Sequence, residues 1–153
     1  MSLIKIIEHR KGSPGFRCFG LGPNLYPCRG IQQLMKLFDE NTFWATNRNS
    51  RDIKTMIKNS DVVVSLWSKN KLIGFGRAKT DSIYRAVLWD IVISDSYKNK
   101  GYGSLLIKNL IKSKELIHVK KIYIMTTNHR EFYNKNGFTS SHPQILLHMD
   151  LNK

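Results

Sequence analysis

One run, Ala86 to Leu116, constrains the fold more than any other part of the chain: AVLWDIVISDSYKNKGYGSLLIKNLIKSKEL. Val87, Leu88, Trp89, Ile91, Val92 and Ile93 form a short apolar block closed by Ser94-Asp95, the pattern of a buried strand. Lys98-Asn99-Lys100-Gly101-Tyr102-Gly103 follows as a glycine-containing turn. From Ser104 onward, Leu105, Leu106, Ile107, Leu110 and Ile111 recur at helical spacing, predicting a helix over 104–116. A strand, a glycine turn and a helix in this order set uncapped first-turn N–H groups, at the positive end of the helix dipole, beside backbone that can approach a ligand closely. Phosphate suits such a place.

The pattern is neither a Walker loop, which needs a second glycine followed by Lys-Ser/Thr, nor a Rossmann loop, which needs three spaced glycines. It resembles the acetyl-coenzyme A pyrophosphate loop of the GNAT superfamily of N-acetyltransferases, Gln/Arg-x-x-Gly-x-Gly/Ala. The one departure is Lys98, which keeps the charge of the usual arginine and loses its planar fork. A second match lies downstream. Lys120 to Thr127 reads as a strand, then come Asn128 and Phe132-Tyr133-Asn134-Lys135-Asn136-Gly137-Phe138, which resembles the family's Phe-Tyr-x-x-x-Gly-Phe segment. The ordered match spans 86–138; the looser resemblance covers most of the chain and is nearest to small cyanobacterial and plastid members.

The resemblance implies an α/β (α+β) fold: a mixed, mostly antiparallel central sheet of about six to seven strands, about four helices and a splayed parallel strand pair. It implies a single GNAT-like domain over 1–153 with its cofactor core at roughly 86–138. Acetyl-coenzyme A is the implied cofactor, a primary amine (a small amine or a protein lysine) the acceptor, and transfer by direct attack in a ternary complex the reaction, which needs no protein nucleophile. Residues carried over to cofactor binding are Ile91, Val92 and Ile93 through their backbone, then Lys98, Asn99, Lys100, Gly101, Tyr102, Gly103 and Ser104, with Asn128 and Tyr133. Tyr133 matches the family's usual general acid toward the coenzyme A sulfur; the plainer alternative is a buried tyrosine packing a short helix. Asn128 matches a position that bonds the pantetheine arm, or else caps the helix after it. Asp90 interrupts an apolar strand, and the reading stays open between general base and structural carboxylate.

Other elements follow in order. Leu3 to Ile7 predicts an edge strand or an ordered arm, and Phe16 to Phe19 a short strand among many glycines and prolines. Ile31 to Phe43 predicts a helix, and Ser50 the N-cap of a second one carrying Ile53, Met56 and Ile57. The resemblance places the acceptor pocket around such a pair of helices, which makes Phe43 and Trp44 between them candidates for that pocket, or else for core. Val62–Trp67, Leu72–Lys79 and Tyr84–Ile93 predict antiparallel strands, Lys121–Thr126 one parallel to the last of these, and Phe138 onward with Ile145–Leu151 the final strands.

Composition bounds the partners. Hydrophobic residues make up 41% of the 153, enough for a globular core. No apolar run is long enough to cross a bilayer and the start lacks a signal-peptide core, so no membrane partner and a cytoplasmic location are expected. Cys18 and Cys28 predict free thiols in a reducing compartment. His9, His118, His129, His142 and His148 show no ligand spacing, and no metal is expected. The 25 Lys and Arg against 11 Asp and Glu, net +14, are spread along the chain and read first as compositional bias. Such charge disfavours a polycationic acceptor unless the pocket is locally acidic. Alternative readings are a non-catalytic acyl-coenzyme A sensor and a basic nucleic-acid-binding domain; a homodimer is left open.

Overall fold

The computed structural model describes residues 3–11, 29–140 and 144–151. Cys18, Cys28, His142, Pro143 and the expected strand at Phe16–Phe19 lie outside the described residues. Among the described residues, five strands form one sheet in sequence order: β1 (Ile4–Glu8), β2 (Val62–Ser68), β3 (Lys71–Thr80), β4 (Arg85–Ile93) and β5 (Lys121–Tyr123). The first four are antiparallel neighbours; β5 joins β4 in parallel. The helices are α1 (Gly30–Asn41), α2 (Ser50–Lys58), α3 (Tyr102–Ile111) and α4 (Arg130–Lys135). Among the described residues, no helix is long and apolar enough to cross a membrane.

The sheet is covered on both faces, which is why every residue of β2 is buried. Period-2 alternation sorts the side chains. Val63 and Trp67 face α1 and α2, joining Leu34, Phe38, Ile53, Ile57 and Phe75 in one core. Val62, Val64 and Leu66 face α3, joining Leu88, Leu106 and Leu110 in the other. Gln33 of α1 clamps the β2–β3 turn: its Nε2 donates to Asn70 O at 2.9 Å and its Oε1 accepts from Leu72 N at 2.8 Å.

Several expectations are corrected. The sheet has five strands, not six to seven, among the described residues. Phe138–Ser140 and Gln144–Leu151 form no strand. Ile145, Leu147, Met149 and Leu151 do alternate as a strand would, but among the described residues no neighbouring strand pairs with them, and all are exposed. The N-cap of α2 is Asn49, whose side chain accepts from Asp52 N at 2.9 Å; Ser50 is its first helical residue. The helix after the glycine turn ends at Ile111, not Leu116. A longer helix would turn Ile117, seven residues after Leu110, inward; instead a turn buries Leu116 and leaves Ile117 60% exposed.

Candidate active-site cleft

β4 and β5 pair only from Arg85–Val87 against Lys121–Tyr123. Beyond that point Leu88–Ile93 and Ile124–Thr127 form opposite walls of a cleft of about 1010 Å³. A bulge in β4 accompanies the opening. Phe75 pairs with Val92 and Arg77 with Trp89, so Asp90 and Ile91 together oppose Gly76. Asp90 takes the left-handed conformation, φ 53°, which aspartate tolerates better than most residues. The extra residue inverts the alternation: Leu88 and Ile91 both face the α3 side, while Val92 joins the α1–α2 core.

The bulge turns the Asp90 carboxylate toward the α1–α2 side, where two arginines meet it. Arg77 Nε donates to Oδ2 at 2.7 Å, and Arg48 Nη1 lies 3.1 Å from Oδ1. The Asp90 side chain is only 3% exposed, against 16% for Arg77 and 29% for Arg48. Aromatic faces support both cations: the Arg48 guanidinium carbon sits 5.1 Å from the Phe38 ring centre and that of Arg77 6.0 Å from Trp89. Both carboxylate oxygens are thus committed to guanidinium groups.

At the other end lies the glycine turn. A 3-10 turn at Asp95–Tyr97 is tied to α1 by Asp95 N donating to Asn41 Oδ1 at 2.8 Å. Gly101, φ 80°, is the N-cap of α3 and carries no capping side chain. The first intrahelical bond runs from Leu105 N to Gly101 O, so the amides of Tyr102, Gly103 and Ser104 have no intrahelical acceptor. Gly103 answers to a different need. A Cβ there would stand 2.8 Å from Cζ of Phe132, so its missing side chain lets α4 close against α3. Lys98 pairs with Asp95 at 2.5 Å on the exposed rim, an interaction readily exchanged.

The third wall is α4. Tyr133 lies between Phe132 and Phe138, both edge-on, with ring centres 5.0 and 5.8 Å away. It lines the cleft, and among the described residues its hydroxyl has no hydrogen-bond partner. Burial pushes its pKa up from 10.0 to about 12, so it is present as a proton-bearing phenol. The N-cap of α4 is His129, without a side-chain cap bond, so Asn128 does not cap the helix; it is exposed and lines the cleft beside His129.

A match to the description of the acetyltransferase (GNAT) family covers residues 31–138. The chain belongs to that family. Among named relatives, it is 32% identical over 96 residues to the uncharacterized N-acetyltransferase ycf52 of Pyropia yezoensis, covering 60% of this chain and 55% of that one. It is 33% identical over 113 residues to ycf52 of Gracilaria tenuistipitata var. liui, covering 71% and 61%. The chain thus spans less than two-thirds of the length of either relative. Among solved structures, an aminoglycoside acetyltransferase from an uncultured soil metagenomic sample, in complex with sisomicin, superposes with a TM-score of 0.70 at 15% identity over 97% of each chain. At that identity the likeness shows the fold.

The GNAT-like segments therefore converge on one cleft. Asp90, Ile91, Val92, Ile93, Lys98, Asn99, Gly101, Gly103, Ser104, Asn128 and Tyr133 all line it. Lys100 and Tyr102 do not: Lys100 Nζ donates to Ser96 O at 3.0 Å and rests over the Tyr97 ring, and Tyr102 packs beside Tyr97. Phe43 and Trp44 are cleft-lining and exposed, at 69% and 47%, not core. Sequence reasoning passed over Arg48 and Arg77. The polar break at Asp90 was the available signal, since a carboxylate inside an apolar strand demands cationic partners.

Proposed function

We propose that this chain is an acetyl-coenzyme A-dependent N-acetyltransferase acting on a primary amine, and that the described residues work as one catalytic domain. The observation that carries this reading is the strand pair β4–β5, which parts after three residue pairs and opens onto the uncapped amides of α3. The residues present fit the cofactor. Amides from Tyr102 to Ser104, with Lys98 at the rim, offer donors and charge to a pyrophosphate. Backbone groups of Ile91–Ile93 on the side of β4 away from β3 have no strand partner among the described residues, leaving them for an extended amide chain. The cleft volume, about 1010 Å³, suits a large ligand.

Acetyl-coenzyme A, when bound, supplies an activated acetyl group and a thiol leaving group. Tyr133 acts as hydrogen-bond donor and general acid toward the sulfur. Its raised pKa keeps the proton in place at physiological pH, where a donor is needed. Asp90 is a positioning residue in this proposal: with both oxygens held by arginines, it fixes the bulge and the Arg48 and Arg77 side chains. The amine loses its proton to water at the open mouth of the cleft.

An amine panel incubated with acetyl-coenzyme A and read by thiol release tests the activity. At least one primary amine is expected to raise thiol release in proportion to enzyme; none doing so would reject the proposal. Tyr133→Phe is expected to lower turnover roughly a hundredfold to ten-thousandfold, the range for losing a positioned acid, with a far smaller change in cofactor affinity. Wild-type turnover in that variant would remove the tyrosine from the mechanism.

A further inference from the structure

The charges lining the cleft do not balance. Among the described residues Asp90 is the only acid in its walls, facing Arg48, Arg77, Lys98 and Lys135. Lys98 belongs to the α3 end and has Asp95 beside it. On the α1–α2 side, two guanidinium groups share the one carboxylate of Asp90, leaving one positive charge uncompensated.

The two arginines are not equivalent. Arg77 is the more buried, and besides Asp90 its Nη1 lies within 3.4 Å of Ser60 Oγ. Arg48 is nearly twice as exposed and uses only Nη1, toward Asp90 and toward Met56 Sδ at 3.5 Å. Among the described residues its Nε and Nη2 have no acceptor. A guanidinium carries five N–H donors in a planar fork that matches a carboxylate or phosphate. In the same connection between α1 and α2 stand Phe43 and Trp44, edge-to-face at 5.1 Å, both exposed and lining the cleft.

We propose that the acceptor amine carries an anionic group, a carboxylate or a phosphate, which Arg48 holds through the free edge of its guanidinium, with Phe43 and Trp44 flanking the body of the molecule. The proposal rests on the acetyltransferase reading above. The charge has a second consequence. A fixed cation near the acceptor favours the neutral form of its amine, the form that attacks, so the site does not depend on a carboxylate base. Polyamines and other polycations are disfavoured by the same field, and among the described residues the cleft wall offers no spare acid to offset it.

The test uses matched ligands on the full chain: phenethylamine against phenylalanine, ethanolamine against O-phosphoethanolamine, and putrescine as the polycation. Calorimetric affinity in the presence of coenzyme A reads the inference, and thiol release from acetyl-coenzyme A reads the function. The member carrying the carboxylate or phosphate in at least one pair should bind about tenfold or more tightly than its match lacking that group, as expected of hydrogen bonds to a charged group. The phenylalanine and O-phosphoethanolamine arms distinguish carboxylate from phosphate. Arg48→Ala should abolish that preference and Arg48→Lys should retain part of it, each read as the ratio of affinities within a pair. If the alanine variant does not fold, raising salt from about 50 to about 500 mM on the wild type should weaken only the anionic ligand. Equal binding within both pairs, preference for putrescine, or an undiminished anion preference in folded Arg48→Ala would overturn the proposal. An anion preference without thiol release from any amine would leave the Arg48 site standing and reject the acetyltransferase reading instead.

Discussion

Asp90→Asn separates a positioning carboxylate from a catalytic one. Asparagine keeps the volume and tolerates φ 53°, so the substitution removes charge without straining the bulge. What remains is two guanidinium groups, 2.7 and 3.1 Å from the lost carboxylate oxygens, with no counter-charge. Breaking one side of a buried ion pair costs about 3–5 kcal/mol. Here the arginines are 16% and 29% exposed, so water recovers part of that, and a loss of about 2–3 kcal/mol is expected. Asp90→Ala should lose about 1 kcal/mol more, because a plain Cβ disfavours the left-handed region. Urea unfolding followed by tryptophan fluorescence reads both, with the slope unchanged and the midpoint lowered. An Asp90→Asn midpoint equal to wild type, with turnover abolished, would refute the reasoning and return Asp90 to the role of base.

Other expectations are quicker to check. His9 is buried with Nε2 2.7 Å from Ser65 Oγ, and burial lowers its pKa from 6.5 to about 4. The unfolded chain therefore takes up a proton near pH 6.5 that the folded chain refuses until about pH 4. Stability present above pH 6.5 should fall by about 3 kcal/mol as pH drops through that window, and His9→Gln should flatten the slope. An identical acid slope in the variant would contradict this. Gly103→Ala tests the approach of α4. Helix propensity alone favours alanine by about 1 kcal/mol, but its Cβ would stand 2.8 Å from the Phe132 ring, so a net loss of about 1–2 kcal/mol is expected. Adding Phe132→Leu should recover most of it, and a stabilised Gly103→Ala would show that the ring moves freely.

Much of this arrangement is written in local pattern. The apolar block before Ser94, the glycines at 101 and 103 and the periodic leucines after them are short-range signals, and β4, the turn and α3 follow them. The parallel placement of β5 follows from the crossover rule. Tertiary pairing is less visible. The bulge at Asp90 adds one residue to a run whose alternation is already blurred by Ile91, Val92 and Ile93, so nothing local announces the change of face. Arg48 and Arg77 reach Asp90 from different segments, 29 positions apart in the chain. Lys120 to Thr127 has strand character throughout, yet only Lys121–Tyr123 pairs, because β4 parts from it after Val87. The alternating apolar residues after Gln144 show the converse: among the described residues they meet no neighbouring edge, and side-chain pattern alone does not make a strand.

Binding of coenzyme A at the α3 end tests the central claim most directly. Ser104→Glu is the suitable variant, since an acid in the first turn is favourable to the helix itself while repelling a phosphate bound there. Calorimetric titration should show one coenzyme A site per wild-type chain and an affinity lowered about tenfold or more in Ser104→Glu, with unfolding midpoints alike. Absence of wild-type binding, or equal affinity in the two proteins, would contradict the account.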